Sequence, residues 1–221
     1  MIRGARTGVF GGTFNPIHAG HLRAAEEVVD ALALERMIFV PSANPPHKSV
    51  GGEDSIAPAK DRLEWVRAAI SDNPRFAVDA VEIERGGASY TVDTLRGLSE
   101  QNRGERPVFC IGCDAFVEMG SWREPEVIFG LAHFAVTTRP PVTCGSLADW
   151  LPKVVRDDFE ITDDGRSARH KASGCSLEVI EISALDISAS DIRRRLQEGR
   201  SVRCLLPESI RKSVEQSGVY V

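Results

Sequence analysis

Gly11-Gly12-Thr13-Phe14-Asn15-Pro16-Ile17-His18-Ala19-Gly20-His21 is the stretch whose reading decides the fold of this chain. Just before it, Thr7-Gly8-Val9-Phe10 reads as the end of a short buried strand. After it, Leu22, Ala25, Val28, Val29 and Leu32 recur at helical spacing, so a helix is expected to open near His18. Strand, glycine turn and helix together aim backbone N–H groups and a positive helix end at an anion. Gly11 and Gly12 let the backbone approach a ligand that a Cβ would push away. Pro16 pre-sets φ where the helix begins and has no N–H to leave unsatisfied. His18 and His21 stand three apart, which puts both imidazoles on one face of the first turn. Gly20 between them leaves room for a bulky group over that turn. The stretch is not a dinucleotide-binding G-x-G-x-x-G, which has no use for two histidines, nor a P-loop, since no Gly-Lys-Ser/Thr follows.

The second strand is expected at Arg36-Met37-Ile38-Phe39-Val40-Pro41. Strand, helix and strand so close together form a βαβ unit, which implies a parallel sheet and an α/β fold. The 221 residues suffice for one domain with a sizeable core, read as spanning 1–221. With 42% hydrophobic and 27% charged residues the chain reads as an ordinary globular protein. The net charge of −5 argues against a surface that coats nucleic acid. Arg3 and Arg6 precede no apolar stretch of the signal-peptide kind, and the longest apolar run, Val127 to Val136, is broken by Gly130 and His133. A cytoplasmic protein with no membrane partner is expected; a homo-oligomer stays open. The five cysteines are scattered, and Cys110-Ile111-Gly112-Cys113 reads as two incidental small residues, without the further ligands that zinc needs.

His18-Ala19-Gly20-His21 resembles the H-x-G-H signature of the nucleotidylyltransferases, and GGTFNPIHAGH as a whole is similar to the bacterial nicotinate-nucleotide adenylyltransferases. The resemblance runs from about Thr7 to about Tyr220. It implies a doubly wound, mainly parallel Rossmann-like sheet with helices on both faces and a C-terminal helical segment. It also implies joining of nicotinate mononucleotide to the AMP part of ATP, with Mg²⁺ on the ATP phosphates. Gly11, Gly12, Thr13, Phe14, His18 and His21 then fall to ATP.

Further motifs join this reading. Ser42 to Pro58 is a Pro- and Gly-rich loop leaving the C-terminal end of the second strand, where ligands of open α/β sheets bind. Its Pro45-Pro46-His47-Lys48 is similar to a family segment, which makes Lys48 a phosphate and nicotinate mononucleotide partner and His47 a weaker candidate. Lys60 to Asp72 is an amphipathic helix with Leu63, Val66 and Ile70 on one face, Trp65 and Ala69 beside it, and Asp61 and Arg62 on the polar side. Phe76 to Arg85 reads as a strand broken by Gly86-Gly87. Ser89-Tyr90-Thr91-Val92-Asp93-Thr94-Leu95 reads as a helix start with Thr91 as N-cap. It resembles the family motif whose backbone N–H groups, here at Tyr90 and Thr91, receive the nicotinate carboxylate.

Pro107 to Ile111 is a central strand, and Gly112-Cys113-Asp114 after it suits close approach and a ribose hydroxyl. Trp122, in Gly120-Ser121-Trp122-Arg123, corresponds to a family Trp that stacks on the pyridine ring, with Arg123 beside it. Leu131 to Thr138 is the next strand; Val142 to Ser176 reads as a polar loop insertion with one short helix near Leu147 to Val155. Leu177 to Ile182 is the last strand. Ser188 and Ser190 read as caps of the helix that carries Arg193, and the family's counterpart motif holds the ATP phosphates. Ala189 removes one of that motif's hydroxyls. Leu205-Leu206-Pro207 precedes a closing amphipathic helix with Ile210 and Val214. The catalytic candidates are therefore His18, His21, Lys48 and Arg193. Two rivals stand beside this reading. A phosphopantetheine enzyme usually has Thr where His18 stands, and a binding module without chemistry tends to lose a His or the phosphate Arg. Carboxylate and amide pyridine nucleotides both stay open.

Overall fold

The computed structural model describes residues 2, 6–45, 56–101, 105–138, 145–183 and 185–220. His47 and Lys48 lie outside the described residues. The chain opens with β1 (Thr7–Gly12), α1 (Ala19–Ala31), β2 (Arg36–Pro41) and α2 (Ala59–Ala69). There follow β3 (Phe76–Val78), α3 (Val81–Arg85), α4 (Thr91–Gln101), β4 (Val108–Gly112) and α5 (Cys113–Val117). Then come α6 (Pro125–Leu131), β5 (His133–Thr138), α7 (Leu147–Trp150), β6 (Phe159–Ile161), β7 (Ser167–His170) and β8 (Ser176–Glu181). Two helices close the chain, α8 (Ala189–Gln197) and α9 (Glu208–Gln216).

These strands form one sheet in the order β3-β2-β1-β4-β5-β8-β7-β6. The first six pair in parallel, while β7 runs antiparallel to both β8 and β6. The strand order reverses between β1 and β4, and that switch point lies beside the glycines of the first motif.

Burial explains why central strands read as continuous apolar runs. Ile38 and Val40 of β2, Phe109 and Ile111 of β4, and Phe134 and Val136 of β5 face one core, shared with α4, α5, α6 and α7. Their neighbours Met37 and Phe39, Val108 and Cys110, and Ala135 face the opposite core, with α1, α2, α8 and α9. Each strand therefore feeds two cores at a period of two. Burial also pushes the Cys110 thiol far above its usual range, so it stays protonated and acts as a small apolar residue.

Several expectations change. β1 continues through both glycines, with Gly11 opposite Val40 and Gly12 opposite Pro41, so there is no glycine turn. The expected strand Phe76–Arg85 ends at Val78 and becomes α3, because Asp79 Oδ1 accepts from the Val81 N–H (2.9 Å) and turns the chain. Thr91 is the first residue of α4 and not its cap; the Tyr90 carbonyl accepts from Asp93 and Thr94. Leu131 ends α6, so β5 starts two residues later than expected.

The largest difference is at 145–176. The expected short helix is there as α7, but the rest carries a β-hairpin that extends the sheet, instead of a polar loop. Leu147, Trp150, Leu151, Val155, Phe159 and Ala168 are buried in the α4–α7 core. The buried positions are spread over a four-residue helix and two strands of three and four residues, too short for a period to show. Phe159 packs edge-on against Phe129, ring centroids 5.4 Å apart. We expect Phe159→Ala to cost about 3–5 kcal/mol in chemical denaturation, as for other buried aromatics; a peripheral loop would lose almost nothing.

At the foot of β5, His133 Nδ1 accepts the Ser176 N–H at 3.0 Å, which needs the nitrogen unprotonated. Burial first, and then the charge of Arg106, hold the His133 pKa below its usual value. The unfolded chain binds this proton more readily, so the stabilisation is complete above about pH 6.5 and is lost as pH falls through the lower folded value. Thermal melts of His133→Gln should be flatter than wild type as pH falls from 7 through that range.

Candidate active site

The sequence from Thr13 to His18 forms a tight loop at the C-terminal end of β1. Phe14 sits in the left-handed region (φ 48°), and the Asn15–Pro16 peptide is cis. A left-handed Phe costs roughly 1–2 kcal/mol, so its neighbours must hold it. They do so through buried polar contacts. Arg62 donates to the Thr13 carbonyl at 2.6 Å and Arg193 to the Asn15 carbonyl at 3.0 Å. The Asn15 side-chain oxygen accepts from Ala57 N–H (2.9 Å) and from the Tyr220 hydroxyl (2.5 Å). Burial is the main cause raising the Tyr220 pKa, so the hydroxyl keeps the proton it donates.

His18 is the N-cap of α1 and is 6% exposed. Its ring stacks on that of His21, centroids 3.7 Å apart and planes 25° apart. The His18 backbone N–H donates to His21 Nδ1 at 3.2 Å. In this geometry the His21 proton sits on Nε2, which makes that atom a hydrogen-bond donor. The ring of Phe14 packs edge-on against His21, centroids 5.2 Å apart. A Cβ on Gly20 would stand 3.1 Å from His18 Nδ1, so this glycine makes room for the His18 ring, and it also lines the first cavity. The first N–H of the helix, at Ala19, donates to the Leu205 carbonyl (3.0 Å) and is not available to an anion.

Two cavities of about 340 Å³ each open at the strand ends. Phe10 and Gly112 line both. The first cavity has His18, Gly20, His21, Asp114, Thr137 and Ser188 among its walls. The second is lined by Gly11, Gly12 and Thr13 on one side and Ser42, Ser89, Tyr90 and Thr91 on another, with Trp122, Arg123 and the buried carboxylate of Glu82. Glu82 accepts from the Thr94 hydroxyl at 2.5 Å. Arg123 lies over the Tyr90 ring, 4.8 Å from its centroid, a cation–π contact at the rim.

Most sequence-derived candidates thus converge, with four shifts. Gly11, Gly12 and Thr13, read as ATP residues, stand on the second cavity. Phe14 is buried beneath the histidines and lines neither. Ser188 caps α8 by accepting from Asp191 N–H (3.1 Å) and lines the first cavity, whereas Ser190 lies inside α8, is not a cap, and accepts from Arg193 at 3.4 Å. Arg193 itself is 7% exposed and reaches the loop from beneath, so it lines neither cavity. Sequence reasoning missed Arg62, placing it on a polar face although it is 1% exposed. The signal was present: 62, 65, 66, 69 and 70 form one i, i+3, i+4, i+7, i+8 stripe, and all are buried. It also passed over Thr137, Thr138 and Glu82, whose places in the cavities depend on neighbours distant in sequence.

A Rossmann-like sheet with a histidine pair at the first helix and paired cavities at its switch point defines a nucleotidyltransferase. Residues 9–195 match the cytidylyltransferase-like family. The chain is 43% identical over 216 residues to the probable nicotinate-nucleotide adenylyltransferase of Citrifermentans bemidjiense, covering 98% of both chains. It is 44% identical over 215 residues to that of Geobacter metallireducens, covering 97% of this chain and 98% of the other. The chain therefore belongs to the cytidylyltransferase-like family and, within it, to the nicotinate-nucleotide adenylyltransferases. Plasmodium falciparum nicotinic acid mononucleotide adenylyltransferase, solved in complex with NaAD, shares the fold at a TM-score of 0.71 and 16% identity, over 97% of each chain. Among the described residues no helix is long and apolar enough to cross a membrane.

Gly20→Ala tests how tightly the His18 ring is placed. The added methyl must displace the ring, and we expect kcat of the transferase reaction to fall by about tenfold to a hundredfold, with a melting temperature near that of wild type.

Proposed function

We propose that the chain transfers the adenylyl group of ATP to nicotinate mononucleotide, giving nicotinate adenine dinucleotide and pyrophosphate, a step of NAD biosynthesis. The observation that carries this reading is the pair of cavities sharing Phe10 and Gly112, with the stacked histidines on the first. A condensation of two nucleotides needs two adjoining sites whose reacting phosphates meet at the common wall. ATP takes the first cavity, with Asp114 toward its ribose and Ser188 toward its phosphates. Nicotinate mononucleotide takes the second, its ring against Trp122 and its carboxylate at Tyr90 and Thr91, at the start of α4. The whole chain, 1–221, acts as one nucleotidylyltransferase domain in the cytoplasm.

The nucleophile is a phosphate oxygen of nicotinate mononucleotide, ionised near pH 7 because its second pKa is about 6. It forms a bond to the α-phosphorus of ATP while the bond from that phosphorus to the bridging oxygen breaks, and pyrophosphate leaves with the electron pair. No general base and no covalent enzyme intermediate are required. The chain supplies position and charge stabilisation. His21 Nε2–H and the His18 ring face the reacting phosphates, Lys48 is assigned to the same phosphates, and Arg193 acts by holding the Asn15 carbonyl. Among the described residues no group of three or more His, Cys, Asp and Glu is placed to hold a metal. Asp114 is a carboxylate in the first cavity, so the fit is to an ion carried in on ATP. Mg²⁺ brought in with ATP would be held on the protein side by Asp114 and would neutralise charge on the leaving pyrophosphate.

The test is pyrophosphate release with ATP and Mg²⁺, run in parallel with nicotinate mononucleotide, nicotinamide mononucleotide and phosphopantetheine. We expect kcat/KM at least about tenfold higher for the nicotinate form, about 1.4 kcal/mol of discrimination. His18→Ala and His21→Ala should each lower kcat on the order of 10² to 10³. Folded wild-type protein that turns over none of the three would overturn the proposal.

A further inference from the structure

Arg62 breaks three local rules at once. It lies in the first turn of α2, where the helix dipole disfavours a cation. It is 1% exposed, where a charge is costly. Its donors go to neutral carbonyls: Nε to Ala57 at 2.9 Å, Nη1 to Thr13 at 2.6 Å and Nη2 to Ala43 at 3.0 Å. Such violations mark positions kept for something other than stability.

The three carbonyls define what Arg62 holds. Thr13 belongs to the glycine wall of the second cavity. Ala43 lies between Ser42 and Pro45, which line the same cavity, and its N–H donates to the Ser89 hydroxyl at 2.8 Å, while the Ser89 N–H donates to the Asn44 carbonyl at 3.0 Å. Asn44 Nδ2 also donates to the Gly87 carbonyl at 3.1 Å, and Asn44 bridges to Ala88. These contacts fix 87–89 just ahead of Tyr90 and Thr91 at the cavity rim. One rigid guanidinium therefore ties the end of β1 to the adjoining segment 42–45, which in turn holds 87–89 ahead of Tyr90. Thr13 lines the second cavity and not the first, and Ala43 lines neither.

We propose that Arg62 is a positioning residue that fixes the placement of Thr13 and of segments 42–45 and 89–91 around the second cavity, and so the affinity for the pyridine nucleotide, without touching substrate. This rests on the reading that the second cavity takes the pyridine nucleotide. The planar fork reaches three acceptors in fixed directions; a lysine ammonium is a single point charge and cannot hold Thr13, Ala43 and Ala57 in the same geometry.

The experiment is steady-state kinetics of Arg62→Lys and Arg62→Met, varying each substrate with the other saturating, alongside thermal melts. KM for nicotinate mononucleotide should rise about tenfold in Arg62→Lys and further in Arg62→Met, with KM for ATP within about twofold of wild type. KM values that both stay at wild type, or that rise equally, would overturn the proposal and leave Arg62 as general fold support. If neither variant folds, Asn44→Ala decides: it loosens the same wall from its exposed side, so KM for nicotinate mononucleotide should rise several-fold, and an unchanged KM overturns the inference. Wild-type turnover is measured first. A wrong functional reading appears as an inactive wild type, and a wrong Arg62 role as variants without the KM split.

Discussion

Buried hydrogen bonds to the backbone of one loop hold the rest of the site in place. The loop between β1 and α1 contains a left-handed Phe14, and that conformation does not persist unaided. Arg62 from α2 takes the carbonyl before Phe14, and Arg193 from α8 takes the carbonyl after it. Tyr220, near the end of the chain, takes the side chain of Asn15. Three elements far apart in sequence thus converge on Thr13 and Asn15, the two residues that flank Phe14. Two of the contacts are charge-assisted, and the two to Asn15 are buried, where a lost partner is costly. The histidine pair inherits its position from this clamp, because His18 follows the loop directly and caps the helix that carries His21.

The sheet sets the distance over which the two substrates must meet. Parallel strands end at one edge, and the order reverses between β1 and β4, so the crevice falls there. Phe10 in β1 and Gly112 at the end of β4 become the wall common to both cavities. Gly11 and Gly12 contribute by leaving space for rings of the protein itself: an added Cβ would stand 3.3 Å from the Phe109 ring and 3.1 Å from the Phe14 ring. Gly20 does the same for His18. Three glycines that line the cavities thus also give clearance to the aromatic and imidazole rings that shape the site.

The hairpin β6–β7 shows where local reading fails. Its strands have three and four residues, and each contributes one fully buried side chain, Phe159 and Ala168. A period cannot be counted over so few positions. The polar residues between them, such as Asp163-Asp164-Gly165, form the turn, where Asp164 accepts from Arg166 N–H and the Thr162 hydroxyl. The same polarity that suggests a surface excursion is the turn chemistry of a strand pair added to the sheet.

The sequence by itself determined the βαβ start, the parallel order implied by it, the central strands and the pairing of His18 with His21. Each depends on spacing within a few residues, which helix and strand geometry convert directly into position. It also placed Tyr90, Thr91, Trp122 and Asp114 around the site through their motifs. Only the tertiary structure decided that Arg62 is interior, that Arg193 supports the loop from beneath, and which glycines serve which cavity. The physical reason is that these roles are hydrogen bonds and contacts to backbone atoms distant in the chain. Every residue carries the same carbonyl, so an acceptor such as Thr13 or Asn15 leaves no mark in the sequence until folding brings a guanidinium to it.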